Sequence, residues 1–323
     1  MTKQKRNIID DGKFFDLRSD VYFKSFFSKR KMLAMFLTIF WDRKINENDI
    51  AYNNTESSRP KGKKINYDIE ATVKVDNKKR KIRLNLEMQN QNYTYMGSRI
   101  DYYSSRNYSE ALGPAETYNI AQSESIWILG FDEIGDYTNN LNSWYTKAYT
   151  TTEDGKILNE KRRIILIFLK NKEKCPIIGL EEFFKLFNDL TKDNLPIFTN
   201  EFAKEAKEML ISLNNNEALR HEAFSHEMYL KDRNSQLHEA KAEGEAIGLA
   251  KGKAEGEAIG LAKGKAEGEA IGLAKGKAEG EAIGLAKGKA EVVKNMLKLN
   301  MSKEIISEST GLSIKEIEEI IKE

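Results

Sequence analysis

The stretch Tyr67–Gln89, YDIEATVKVDNKKRKIRLNLEMQ, alternates twice between apolar and polar residues. From Ile69 to Val75 the odd positions Ile69, Ala71, Val73 and Val75 are apolar, whereas from Ile82 onward it is the even positions, Ile82, Leu84, Leu86 and Met88. A period of two is that of a β-strand with one core face and one polar face. Val75-Asp76-Asn77-Lys78 between the two runs is turn-forming, so the pair reads as an antiparallel hairpin. Placing both apolar sets on one side requires paired residue numbers to sum to an odd value, and a two-residue loop at Asn77-Lys78 sets that sum at 155. Asp68 then lies opposite Glu87, with about 5 Å between Cβ atoms, and Glu70 and Gln89 lie beside them on the polar face.

Facing carboxylates repel one another unless positive charge lies between them, and oxygen ligands at this separation suit a hard divalent cation such as Mg²⁺. A solvent-facing sheet surface, with the acids beside Lys74 and Arg83, accounts for the same residues. Hairpin geometry alone leaves both readings open.

Around the hairpin, Phe23, Phe26, Phe27, Met32, Phe36 and Ile39 recur at roughly helical spacing, predicting one helix over Asp20–Trp41 with Ser19 as its N-cap. A polar stretch with Pro60 and Gly62 precedes the hairpin. A second helix is expected over Tyr93–Leu112, stopped by Gly113-Pro114. Strands are expected at Ser125–Phe131, Trp144–Thr152 and Arg163–Lys170, with Asp154-Gly155 in the loop between the last two. Helices at about 181–191 and 200–213 close the globular part. On the second helix Arg99, Tyr103 and Arg106 share a face. They are placed either to contact phosphates and sugars, or, together with Tyr102, to pack into the core while the arginines pair with Asp101 and Glu110.

Past residue 235 the chain changes character. Lys-Ala-Glu-Gly-Glu-Ala-Ile-Gly-Leu-Ala-Lys-Gly occurs four times without change from Lys241 to Gly288, and holds 12 of the 21 glycines. Twelve glycines oppose an isolated helix by roughly 10 kcal/mol. The isoleucines at 247, 259, 271 and 283 are each rotated by about 120° from the last, so they build no apolar stripe. A flexible spacer and a self-associating helix with a close-approach glycine face are both compatible with this repeat. From Ala290 apolar spacing returns and predicts three short helices, with Thr310-Gly311 ending one and a Ser313–Glu316 capping box opening the next. The expected organisation is a domain over 1–235, a repeat over 236–289 and a helical tail over 290–323, the last two being candidates for homo-oligomerisation.

The net charge of +2 conceals an asymmetry: residues 1–120 carry 23 Lys+Arg against 15 Asp+Glu, and the remainder 29 against 35. The basic part is the candidate for a phosphate-bearing partner. A single cysteine, Cys175, excludes an internal disulfide and a zinc–thiolate cluster. The longest apolar run, Ile164–Leu169, is too short to span a membrane, and the N-terminus lacks the apolar stretch of a signal peptide, so a cytoplasmic protein is expected.

Taken in order, Asp20-Val21-Tyr22-Phe23-Lys24, Tyr67-Asp68, Leu86-Glu87-Met88-Gln89 and then Arg99, Tyr102, Tyr103 and Arg106 form a pattern. It resembles the D-x-x-F-K opening, strand aspartate, E-x-Q and R…YY helix of the recombination-promoting nuclease and transposase family, within the PD-(D/E)XK nuclease superfamily. The resemblance covers roughly residues 16–135, and the glycine-spaced repeat before a helical tail is similar to that family's C-terminus. It implies an α/β core with a central mixed sheet flanked by helices. It also implies that Asp68 and Glu87 bind the metal with the main-chain carbonyl of Met88, that the cation polarises the scissile phosphate and activates water, and that DNA is the substrate. Gln89 departs from the superfamily's usual lysine; its amide can orient water or phosphate, and Lys24 is placed to supply the missing charge. The implied activity is a Mg²⁺-dependent DNA endonuclease with little sequence preference, associated with recombination or mobile DNA. The alternative is a catalytically silent nuclease fold serving as a DNA-binding or self-assembly module.

Overall fold

The computed structural model describes residues 13–53, 56–57, 65–77, 79–111, 121–134, 137–138 and 143–322. Lys78, Pro60, Gly62 and Gly113-Pro114 lie outside them. Strands β1 (Ile50–Tyr52), β2 (Ile69–Val75), β3 (Arg80–Gln89), β4 (Gln122–Leu129), β5 (Tyr145–Thr151) and β6 (Ile157–Phe168) form one mixed sheet. Its spatial order is β1-β2-β3-β4-β6-β5. The β3–β4 and β4–β6 pairs are parallel, and β1–β2, β2–β3 and β5–β6 are antiparallel. The hairpin has the register read from its alternation: Ile69 pairs with Leu86, Ala71 with Leu84 and Val75 with Arg80, each pair summing to 155. The turn is wider than the two residues expected, because pairing stops at Val75 and Arg80, and Asp76 and Asn77 both adopt positive φ.

The even residues of β3 pack with Ile126 and Ile128 of β4 and Ile165 and Ile167 of β6 against helices α1 (Asp20–Phe27), α2 (Arg30–Phe40), α4 (Ile178–Phe184) and α5 (Glu201–Asn214). Phe183 is the hub of this layer, its ring centroid 4.9–6.1 Å from those of Phe26, Phe27, Phe36, Phe184, Phe187 and Phe202. The single helix expected over Asp20–Trp41 is instead two, broken at Ser28-Lys29, where Lys29 is extended and the Ser28 hydroxyl donates to the Ser25 carbonyl. Geometry explains the break. At 100° per residue an unbroken helix would turn Met32 about 180° away from Phe23, yet both are buried in the same core. Ser19 stands at the N-cap position but makes no side-chain capping bond.

Helix α3 (Met96–Ser109) covers the opposite face of the sheet. Its Met96 and Ile100 join Trp127, Leu129, Leu166 and Phe168 in a smaller apolar cluster. The hairpin's polar face also lies on this side. Glu70, Asn85 and Glu87 are buried there together with Arg106 and Asn107 of α3, which corrects the expectation of a solvent-facing surface.

The chain divides into units Met1–Arg233 and Asn234–Glu323. Helix α6 runs from Glu217 to Lys298, so the repeat is helical throughout, with Lys–Glu pairs at i,i+4 such as Lys251–Glu255 repeating along it. Its end supplies the first of the three expected tail helices. Val293 packs with Ile306 of α7 (Lys303–Thr310) and Ile317 of α8 (Ile314–Lys322). Gly311 closes α7 at φ 68°, and the Ser313–Glu316 capping box opens α8. Among the described residues no helix is long and apolar enough to cross a membrane.

Candidate active site

Asp68 stands immediately before β2 and Glu87 near the end of β3, and the register brings them together. Each carboxylate accepts a main-chain N–H from the other's strand segment: Asp68 N donates to Glu87 Oε1 (3.1 Å), and Met88 N, next to Glu87, donates to Asp68 Oδ2 (3.0 Å). Glu87 is wholly buried, and its Oε2 has no hydrogen-bond partner. Lys24 reaches across from α1, with Nζ 3.3 Å from Asp68 Oδ1 and 2.8 Å from Asp20 Oδ1 one helical turn back. On the other flank, Arg99 of α3 lies 5.0 Å above the Tyr103 ring and donates to Gln89 Oε1 at 3.5 Å.

Burial, above all, pushes the Asp68 carboxyl up to about 6, against the favourable pull of Lys24. Burial and then the charge of Asp68 hold Glu87 well above the usual carboxylate range, with Arg99 and Lys24 opposing. Three acids, Asp20, Asp68 and Glu87, thus face two cations, Lys24 and Arg99. This centre therefore has room for further positive charge. A cleft of about 440 Å³ opens beside Asp68, lined by Lys24, Tyr52, Asn53, Tyr67 and Glu70 among others.

The structure brings Asp68, Glu87, Gln89 and Lys24 into one neighbourhood. It places the DNA-contact candidates of α3 differently from one another. Arg106 is buried and pairs with Glu110 (3.1 Å), while Tyr103 is half-buried between Tyr67 and Trp127, ring centroids 5.6 Å from each. For those two, the packing alternative describes what is seen; Asp101 pairs with Arg162 rather than with an arginine of its own helix. Arg99, beside Gln89, keeps a position near the carboxylates. Glu70 lies beside the carboxylate pair on the same face, as expected, and is bonded to Arg83, which also holds Glu110 at 2.9 Å. Sequence reasoning set the acids of this face beside Arg83 but missed its second partner, Glu110. The signal for the first was present in the register, since Glu70 and Arg83 are diagonal neighbours on one face.

Among the described residues no three His, Cys, Asp or Glu side chains converge as a metal-binding group. Two carboxylates with an unpartnered oxygen nevertheless fit Mg²⁺, which commonly takes one or two carboxylates and completes its shell with water and substrate oxygens. A divalent cation here would also reverse the mutual repulsion that raises both groups.

A mixed α/β sheet with an acidic pair held across one end of a central hairpin defines the class of the PD-(D/E)XK nucleases. The chain belongs to the PD-(D/E)XK nuclease family transposases, whose family model matches residues 17–240. No curated protein and no solved structure matches it.

Proposed function

We propose that this chain is a divalent-cation-dependent DNA endonuclease with little sequence preference, acting in the recombination of mobile DNA. The observation that carries the reading is the reciprocal pairing of Asp68 and Glu87 through main-chain N–H groups, with Lys24 against Asp68. When bound, a Mg²⁺ ion would polarise the scissile phosphate and generate the water-derived nucleophile. Asp68 and Glu87 would hold it. Lys24 lines the cleft and would set its positive charge beside a phosphate oxygen that gains charge as water adds to phosphorus and the sugar oxygen leaves. Gln89, steadied by Arg99, offers an amide to orient that water or a phosphate oxygen. Supercoiled plasmid incubated with the full chain should be nicked with Mg²⁺ and left intact with chelator. Binding of plasmid without nicking at any divalent cation would favour the rival reading, a silent nuclease fold, to which the glutamine in place of lysine points.

The assignment of charge to Lys24 carries its own expectation. Lys24→Ala should lower the nicking rate more than tenfold, while Gln89→Lys should be neutral or harmful. A lysine at 89 would meet Arg99, now 3.5 Å from the Gln89 oxygen, as a like charge and would compete with the cation. A strongly activated Gln89→Lys variant, together with an undiminished Lys24→Ala variant, would reverse these roles.

A further inference from the structure

A second pocket lies on the opposite face of the sheet from the carboxylates. Its floor includes Ile82 and Ile165, and Arg80 at the start of β3 stands at its edge, seven residues or about 23 Å of strand from Glu87. Both Arg80 and Ile82 have the even parity of the α2-side face, so the sheet itself separates this pocket from the acidic pair. The pocket encloses about 310 Å³, within the range of small-ligand sites.

Two chemistries line it. Trp41, Trp144 and Tyr145 form an aromatic wall, the Trp144 and Tyr145 ring centroids lying 4.4 Å apart, and Arg43, Lys147 and Arg163 supply positive charge. The arrangement is fixed from beneath by Glu124, a buried carboxylate at 3 % exposure. Its Oε2 accepts from Trp41 Nε1 (2.8 Å), and its Oε1 accepts from Gln122 Nε2 (2.6 Å) and Arg163 Nη1 (3.3 Å). One buried acid therefore sets the orientation of both an indole plane and a guanidinium. Such preorganisation lowers the ordering cost of a ligand that uses both. Glu124 offsets one cation and Asp76, 3.1 Å from Arg43, offsets part of a second, so the pocket retains positive charge. A flat ring that stacks on aromatic faces, joined to an anion that pairs with Lys and Arg, is the complement of this site.

We propose that this pocket binds a nucleoside 5′-monophosphate unit, its base on the aromatic wall and its phosphate toward Lys147 and Arg163. The unit is supplied either as a free nucleotide or as the 5′-phosphorylated end of a DNA strand. The site does not depend on the nuclease reading, because its residues lie on the other face and its test reads binding alone.

Two of the chain's three tryptophans, Trp41 and Trp144, line the pocket, while Trp127 is buried beneath α3, so intrinsic fluorescence reports occupancy. The full chain is titrated in chelator with deoxyadenosine monophosphate, deoxyadenosine, inorganic phosphate, and an oligonucleotide with and without its 5′-phosphate. Saturable quenching is expected with the monophosphate, with at least tenfold weaker binding of deoxyadenosine, and phosphate is expected to compete without quenching. Quenching by the phosphorylated oligonucleotide but not by the free nucleotide assigns the strand end as the source. Lys147 is exposed, so Lys147→Glu leaves the core intact and should weaken binding at least tenfold, whereas Asp68→Asn should leave it unchanged. Absence of saturable quenching by both nucleotide and phosphorylated oligonucleotide overturns the proposal. So does binding that survives Lys147→Glu, or binding that is lost in Asp68→Asn.

Discussion

Asp68→Asn and Glu87→Gln are each expected to reduce Mg²⁺-dependent nicking by about 10³-fold or more, the scale of losing a principal charge-stabilising contact, while making the metal-free protein more stable. The two outcomes share one cause. Burial raises both carboxyls above their unfolded values, so in chelator the ionised forms oppose folding. The sign follows directly. A carboxyl with a raised folded pKa costs stability as pH climbs from its ordinary range through its folded value, so Asp68→Asn gains above about pH 6 and not near pH 4, and Glu87→Gln gains in the same direction. For Asp68→Asn at pH 8 the gain is about 1–3 kcal/mol, or roughly 3–10 °C in melting temperature. The isosteric amides are the right variants because Glu87 is wholly buried and Asp68 nearly so, and alanine would leave the Asp68 and Met88 N–H groups unpaired. Added Mg²⁺ should stabilise the wild type alone. Undiminished nicking in both variants would place the chemistry elsewhere. A lower melting temperature for both in chelator would refute the electrostatic account.

Arg83→Met should cost about 3–5 kcal/mol at pH 9, because it strands Glu70 without its cation inside the protein. The loss should shrink at lower pH. Burial already holds the Glu70 carboxyl at about 7 with Arg83 beside it, and removing Arg83 raises it further. The share of wild-type stability that depends on Glu70 therefore stops falling above about pH 7, while in the variant it continues to fall. Urea unfolding at pH 6 and pH 9 measures the gap directly. Adding Glu70→Gln to Arg83→Met should recover most of the loss at pH 9. A penalty independent of pH would mean that Arg83 acts by packing rather than by charge.

The hairpin was legible because a period of two on both strands admits a single parity of register, and that parity alone sets Asp68 against Glu87. The cover over its polar face was not. Parity distinguishes two faces but says nothing of what lies on the second, and α3 is itself built from Arg, Tyr, Ser and Asn, so it carries no broad apolar stripe to announce burial. Sequence spacing likewise read Asp20–Trp41 as one helix, because Phe23, Phe26 and Phe27, and separately Met32 and Phe36, each fit a helical face; only the core they share requires the break. Lys24 was legible as a candidate from its motif. Its hold on Asp68 depends on the placement of α1, which no local pattern encodes.

That placement has a consequence for when the protein becomes competent during its synthesis. The acidic pair is carried by a local hairpin, complete once residue 89 has left the ribosome. The segment that delivers Lys24 is fastened much later in the chain: Leu17 N bonds to the Leu186 carbonyl, and the Asn214 side chain bonds both the N–H and the carbonyl of Phe15. Helix α1 also packs its phenylalanines against Phe183 and Phe187. An isolated two-stranded hairpin is marginal in water, so the acids are fixed together only as the sheet forms around them. The lysine is locked beside them only after a further hundred or so residues have been made, several seconds at cellular rates. Synthesis order thus keeps an incomplete chain from assembling the whole charge set around its acidic pair.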